Sequence, residues 1–144
     1  MFWGDFKTAL YHFEKSLELL TQASNRGMTY TLRTLAELYQ LKKEWQKAEE
    51  YYKQSLESAR DFQDRYGEGR TLRKWAGLYL QRELLDKAKR YYRQGLNVAE
   101  ELKHDHGKVE ALVGLFSVHL KEGEKLMHGY LHKAEQLALA HQSW

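Results

Sequence analysis

The chain has 144 residues, of which 42% are hydrophobic, and it contains no cysteine and no proline. The absence of cysteine excludes a disulfide framework, a thiolate nucleophile and a cysteine-based metal site. The net charge of +3 arises from 23 basic and 20 acidic residues that are interspersed along the chain, whereas a nucleic-acid binder carries a concentrated basic surface. The sequence has no apolar run of membrane-spanning length and no secretion signal. We therefore expect a cytoplasmic or nuclear protein without a membrane partner.

The residue types favour helices throughout. Leu, Ala, Glu, Lys, Gln and Arg dominate, isoleucine is absent, and only four valines occur. These abundant residues are strong helix formers. Because no shift in composition divides the chain, we expect a single all-α domain over residues 1–144.

Three glycines, Gly27, Gly67 and Gly107, follow one another at intervals of 40 residues. A fixed period in this range is typical of a solenoid, in which each unit buries its apolar face against its neighbours. Such an array presents an extended surface, so the sequence favours a protein that binds other proteins. We expect these glycines to adopt the left-handed conformation that often ends a helix.

Alignment on the glycines superimposes two sets of apolar or small residues. The first set falls on one face of a helix, and the second recurs after a short polar connection. The sets are Leu32, Leu35, Ala36, Tyr39, Ala48, Tyr51, Tyr52, Leu56 and Ala59 in one unit and Leu72, Trp75, Ala76, Tyr79, Ala88, Tyr91, Tyr92, Leu96 and Ala99 in the next. Each unit is therefore predicted to be a helix pair, with Ala48 and Ala88 leaving room for the rings of Tyr52 and Tyr92.

The order Leu-x-x-Leu-Ala-x-x-Tyr followed by Ala-x-x-x-Tyr resembles the tetratricopeptide repeat. The 40-residue period and the unit border Asp64-Arg65-Tyr66-Gly67-Glu68-Gly69-Arg70 are similar to the long-helix subclass typified by kinesin light chains and spindle-orientation scaffolds. The resemblance implies a right-handed α-solenoid of stacked antiparallel helix pairs. It also implies a protein–protein interaction module that is not an enzyme and needs no cofactor.

In chain order, the register predicts seven helices, at 5–24, 28–42, 45–64, 68–82, 85–104, 108–122 and 125–141. The first helix matches the second helix of a unit whose first helix is missing, and Asp5 is placed to cap it. Units one and two span 28–67 and 68–107. Because the first helix lacks its usual cover, we expect self-association through the amino-terminal end.

The last unit, 108–144, is the weakest match and is expected to act as a degenerate carboxy-terminal cap. With the 40-residue spacing, His128 and His132 replace Ala88 and Tyr92. With one residue deleted, Met127 and Leu131 take those places, which keeps the apolar stripe continuous. The second register is the preferred one.

By the same resemblance, the first helices of successive units line a concave groove. The groove positions are Tyr30, Arg33, Thr34, Glu37, Gln40, Arg70, Arg73, Lys74, Gly77, Gln81, Glu110, Val113, Ser117 and Lys121. Four cations, at positions 33, 70, 73 and 74, favour an acidic peptide or helix as the ligand. Gly77 and Gly114 would let a peptide backbone approach closely.

Other functions have weaker support in the sequence. A peptide-sensing regulatory domain of a larger regulator is an open alternative, and RNA binding through the basic groove is a less favoured one. His128 and His132 are spaced as metal-binding pairs are, but Gly129 replaces the Glu of the metalloprotease motif and no third ligand has a fixed spacing. No catalytic acid–base pair or nucleophile stands out.

Overall fold

The computed structural model describes residues 3–23 and 27–142, which form six α-helices and no strand. The helices are α1 (Trp3–Ala23), α2 (Gly27–Leu41), α3 (Trp45–Asp61), α4 (Arg65–Gln81), α5 (Leu85–Glu101) and α6 (Asp105–Gln142). The all-helical prediction is confirmed. None of these helices is long and apolar enough to cross a lipid bilayer.

The helices pack as antiparallel pairs that stack in chain order. Within the pairs, α2 packs against α3 and α4 packs against α5. Contacts between α3 and α4, and between α5 and α6, join one pair to the next. α1 packs on α2. This arrangement is a helical solenoid, and the first helices of the pairs, α2, α4 and the start of α6, lie side by side.

Small and aromatic residues form the core, as the repeat predicts. Ala48 and Ala88 are fully buried, and Tyr52 and Tyr92 are 0% and 7% exposed. The ring of Trp75 stacks near that of Tyr52, with 6.1 Å between the ring centres. The interval of 40 residues therefore identifies the residues that hold adjacent helices together.

Four three-residue connections join the helices from α2 to α6. In each one the middle residue has a positive φ, at Lys43, Gln63, Glu83 and Lys103. At the first connection, for example, Lys43 N–H donates to the Gln40 carbonyl and Glu44 N–H to the Tyr39 carbonyl, both at 3.0 Å. The positive-φ residues recur every 20 positions, so the true period of the backbone is one helix plus one turn.

The expected role of the repeated glycines is wrong. No described glycine has a positive φ, and Gly67 and Gly107 lie in the first turns of α4 and α6. A Cβ at Gly67 would lie 2.3 Å from the carboxylate of Asp64, which caps α4 by accepting a hydrogen bond from the Gly67 N–H at 2.9 Å. The glycine is thus needed for close packing against the cap. Gly27 likewise begins α2 instead of ending a helix.

Two further boundary predictions are wrong. Asp5 lies in the first turn of α1, which begins at Trp3, so it is not the capping residue. The helices predicted at 108–122 and 125–141 are one continuous helix of 38 residues, α6. Residues 123–141 are exposed on every side. Because they are not packed on the rest of the chain in a way that would stabilise a turn, the strong helix formers Glu122, Glu124 and Lys125 continue the helix. The described residues therefore form six helices where seven were expected.

Candidate binding groove

The first helices of the units enclose a concave pocket of about 570 Å³. Its walls come from α2, α4 and α6, and the helices behind them contribute two tyrosines. The lining residues are Glu37, Gln40, Leu41, Tyr52, Arg73, Lys74, Gly77, Gln81, Tyr92 and Glu110. Seven of the fourteen predicted groove positions meet in this pocket, namely Glu37, Gln40, Arg73, Lys74, Gly77, Gln81 and Glu110.

A chain of hydrogen bonds runs along one end of the pocket. The Tyr52 hydroxyl donates to Gln40 Oε1 at 2.7 Å, and Gln40 Nε2 donates to Gln81 Oε1 at 2.9 Å. Tyr52 is anchored in the core, so it fixes the amide of Gln40. The second amide, on the next unit, is exposed and keeps its N–H groups available to a peptide carbonyl.

Lys74 stands at the centre of the pocket between two carboxylates. Its Nζ lies 3.9 Å from Glu37 Oε1 and 3.9 Å from Glu110 Oε1. The three side chains come from α2, α4 and α6, one from each unit. At this distance and exposure the pairs are weak, so Lys74 can exchange either partner for a ligand carboxylate.

Arg73 is buried, with its side chain only 2% exposed. Its guanidinium packs where glycines leave room: a Cβ at Gly69 or Gly107 would lie about 3 Å from it, and a Cβ at Gly95 would lie 2.7 Å from its Cγ. Glu110 Oε2 lies 3.6 Å from Arg73 Nε. Burial lowers the pKa of Arg73, and Glu110 opposes that shift. Arg73 is therefore an interior cation with its own counter-ion.

Arg33 occupies the equivalent place one unit earlier and is 6% exposed. Its surroundings differ, because the position 40 residues before Glu110 is Arg70. Burial, followed by the charge of Arg70, lowers the pKa of Arg33, while Glu37 acts in the opposite direction. Arg70 Nε is buried and has no hydrogen-bond partner among the described residues, and the same is true of Arg73 Nε, which has only the ion pair with Glu110. Unit one therefore has two arginines, Arg33 and Arg70, at the positions where the next unit has Arg73 and the carboxylate of Glu110.

The remaining predicted positions, Arg33, Arg70 and Val113 among them, do not line the pocket. Tyr30 is 57% exposed, with the Arg33 guanidinium 5.5 Å from its ring centre. Ser117 donates a hydrogen bond to the carbonyl of Val113 on its own helix. Lys121 pairs with Glu83 and Glu124. Thr34 donates to the Tyr30 carbonyl, also within its own helix.

The structure corrects one groove residue and adds others. Gly114 does not offer space to a peptide, because it is buried and a Cβ there would lie 2.2 Å from the ring of Tyr92. Tyr52 and Tyr92 were assigned only to the core, yet both line the pocket, as does Leu41. Their hydroxyls were the available signal, since a buried tyrosine usually directs its polar end to a partner or a cavity.

The histidines remain separate from this pocket. His132 and Gln136 lie 3.1 Å apart on the exposed half of α6, and His104 lies against Tyr66. Within residues 3–23 and 27–142, no three His, Cys, Asp or Glu side chains are grouped so that they could hold a metal ion.

Comparison with protein families identifies the tetratricopeptide repeat. The tetratricopeptide repeat model matches residues 4–61 and again residues 26–101. The two overlapping matches cover α1 to α5, including the α2 and α4 walls of the pocket. A search of curated proteins gave no match.

Proposed function

The chain belongs to the tetratricopeptide repeat family, whose repeats generally mediate protein–protein interaction, and from this premise we propose that it is a non-catalytic module that binds an acidic peptide in its groove. The 40-residue interval supports an assignment to the long-helix subclass of that family. One observation carries the proposal: the charge of Arg70 acts on the buried Arg33, whereas in the next unit Arg73 is paired with Glu110.

Glu110 indicates what the ligand supplies. Its carboxylate lies 3.6 Å from the buried Arg73, and it neutralises a charge that burial alone would make costly. A ligand carboxylate placed between Arg33 and Arg70 would do the same one unit earlier. The unsatisfied Arg70 Nε would then gain a charge-assisted hydrogen bond.

The pocket, which Arg33 and Arg70 do not line, suits a peptide backbone. The exposed amide of Gln81 offers a hydrogen-bond donor. Gly77 has no side chain that would narrow the pocket, and the nearest atom to a Cβ built there is the Tyr92 hydroxyl oxygen, at 3.6 Å. Lys74 provides a second cation between two weakly held carboxylates. An acidic side chain at the arginine pair and a second one near Lys74 would therefore bind in adjacent units.

Substitution of Arg70 by Gln tests the proposal. The probe is a fluorescein-labelled peptide rich in Asp and Glu, with a matched peptide in which Asn and Gln replace the acids. Binding is measured by fluorescence anisotropy. We expect the acidic peptide to bind the unmodified protein and to lose at least about tenfold in affinity with Arg70→Gln, because one charge-assisted hydrogen bond is removed.

Arg90→Gln is the matched control. It removes the same charge from the exposed face of α5, so affinity should stay within about twofold. Equal losses in both variants would show that net charge alone drives binding, and equal binding of the amide peptide would exclude carboxylate recognition. Tighter binding of a single-stranded RNA, with a steep dependence on salt, would favour the RNA alternative instead.

A further inference from the structure

α6 carries an apolar stripe on the side that faces away from the other helices. In its first half, Gly114 and Val118 are buried against the solenoid. The opposite side is between 52% and 62% exposed, at Val109, Val113, Phe116 and Leu120. A helix in a stable protein covers such a stripe.

The stripe continues into the exposed second half of α6. Met127, Tyr130 and Leu137 are 64%, 69% and 63% exposed, and Ala134 lies between them on the same side. From position 109 to position 141 the spacing alternates between four and three residues, at 109, 113, 116, 120, 123, 127, 130, 134, 137 and 141. Only Gly123 and His141 interrupt the apolar character. This period of about 3.5 residues is typical of a left-handed coiled coil.

We propose that α6 pairs with the α6 of a second copy of this chain, as an antiparallel coiled coil with a twofold axis near Lys125. The stripe is defined here as positions 109–141 at the spacing given above. In an antiparallel pair of identical helices, the numbers of two residues that face each other always add to the same sum. When this sum is 250, every stripe position of one copy faces a stripe position of the other, for example position 109 and position 141.

The layers formed in this register are complementary in size. Phe116 of one copy faces Ala134 of the other, and Gly123 faces Met127, so a large side chain meets a small one in both layers. The layer of Leu120 with Tyr130 and the layer of Val113 with Leu137 are apolar on both sides. By symmetry each layer occurs twice, once on each side of the axis.

While α6 is one continuous helix, the stripe is exposed within the part of the chain that the structure describes. Residues 123–141 of α6 span roughly 28 Å at 1.5 Å per residue. All of them are exposed, although Lys125 and Leu126 line a pocket beside the start of α5. The paired stripe is about 50 Å long and about 10 Å wide, which amounts to ~1,000 Å² over both copies. That area reaches the lower bound for a specific interface.

Folding back of the same segment is the competing possibility. Gly123 lies 40 residues after Glu83 and 80 after Lys43, the positive-φ residues of the preceding connections within a pair. A turn at this glycine would place 125–141 on the first half of its own α6 and would use many of the same side chains. The experiment must therefore separate contacts between chains from contacts within one.

The first measurement is the molar mass of the full chain by sedimentation equilibrium. We expect twice 17.1 kDa for the unmodified protein and a weakening of the dimer by at least tenfold with Phe116→Glu, which places a charge opposite Ala134. Gln136→Glu adds the same charge on the exposed α6 but outside the stripe, and it should leave the dimer unchanged. Circular dichroism checks that both variants remain helical. A monomeric unmodified protein, or a dimer that Phe116→Glu leaves intact, overturns the proposal.

The second measurement uses the absence of cysteine from the chain. Glu124→Cys places one thiol beside the axis, so a short bis-maleimide should join two chains, whereas Lys53→Cys on the exposed side of α3 should remain uncoupled. A single thiol cannot crosslink within a folded-back monomer. Gly123→Ala favours the continuous helix, so it should preserve crosslinking. Loss of crosslinking in that variant, or none at position 124, overturns the twofold arrangement.

Discussion

Several glycines in this protein leave room for a neighbouring side chain, and a Cβ would cause the closest contact at Gly114. A Cβ at this position would meet three carbons of the Tyr92 ring at 2.2–2.6 Å. Tyr92 is buried and lines the groove pocket, so it has little room to move. The groove and the core therefore share one side chain, and a change made for one affects the other.

Gly114→Ala should destabilise the protein by about 1–3 kcal/mol, because the added methyl group overpacks the Tyr92 ring. Urea unfolding followed by circular dichroism measures the change. Gly129→Ala on the same helix is the control, since no atom lies within 4 Å of a Cβ there. It should stabilise the helix by about 0.5–1 kcal/mol through the better helix propensity of alanine. Equal effects at both positions would contradict the packing role of Gly114.

The sequence reveals some of these residues and hides others. Ala48, Tyr52, Ala88 and Tyr92 recur at one interval, and recurrence is enough to place them in the core. Gly114 has no such signal, because the equivalent positions hold Thr34 and Lys74. Its role depends on a contact with another helix, which no local pattern encodes.

The turns between helices place ordinary residues in the left-handed conformation. Lys43, Gln63, Glu83 and Lys103 have φ values between 53° and 61°. This region is unfavourable for residues that carry a Cβ. Glycine and asparagine are the usual residues at such sites, so the sequence pattern favours Gly67 and Gly107 and predicts the starts of α4 and α6 three residues late.

Lys103→Gly should stabilise the protein by about 0.5–1 kcal/mol, since glycine adopts this conformation without a steric cost. Thermal unfolding measured by calorimetry is a suitable test. The control is Lys53→Gly in the middle of α3, which should cost about 1 kcal/mol. Opposite signs for the two substitutions are the expected result, and a loss of stability in both would show that the turn tolerates lysine without strain.

The helices themselves were predictable from the sequence, but the length of α6 was not. Periodicity identified both of its halves correctly as helical. Whether they are joined depends on what packs against residues 123–141, and these residues are exposed in the structure. In the same way, positions 33, 70, 73 and 110 were assigned to a groove by resemblance, while burial and pairing emerged only from the packing of adjacent units.

Across the whole solenoid, buried tyrosines make the fold sensitive to alkaline pH. Burial raises the pKa of Tyr52, and burial followed by a hydrogen bond to Glu49 raises the pKa of Tyr79. Burial and a hydrogen bond to Glu14 act in the same direction on the pKa of Tyr39. All three tyrosines therefore remain neutral in the folded chain at a pH where the unfolded chain loses their protons.

The free energy of unfolding should be insensitive to these groups below pH ~10, the ordinary tyrosine pKa, and should fall as the pH rises above it. Each tyrosine that keeps its proton only in the folded state contributes a slope of about 1.4 kcal/mol per pH unit. Urea unfolding on both sides of pH ~10 measures the slope, and Tyr52→Phe should reduce it. An unfolding free energy that stays constant across this range would contradict the burial of the hydroxyls.

The cavity that accommodates Arg73 also determines how the two units differ. Unit two holds this arginine among Gly69, Gly95 and Gly107, whereas unit one has Thr29 and Ser55 at the positions equivalent to the first two, joined through a hydrogen bond of 3.0 Å. The units are consequently not interchangeable modules. A consensus sequence made from both units would combine the hydroxyl side chains of one helix crossing with the buried arginine of the other. A longer array would therefore have to repeat all the residues of one crossing together.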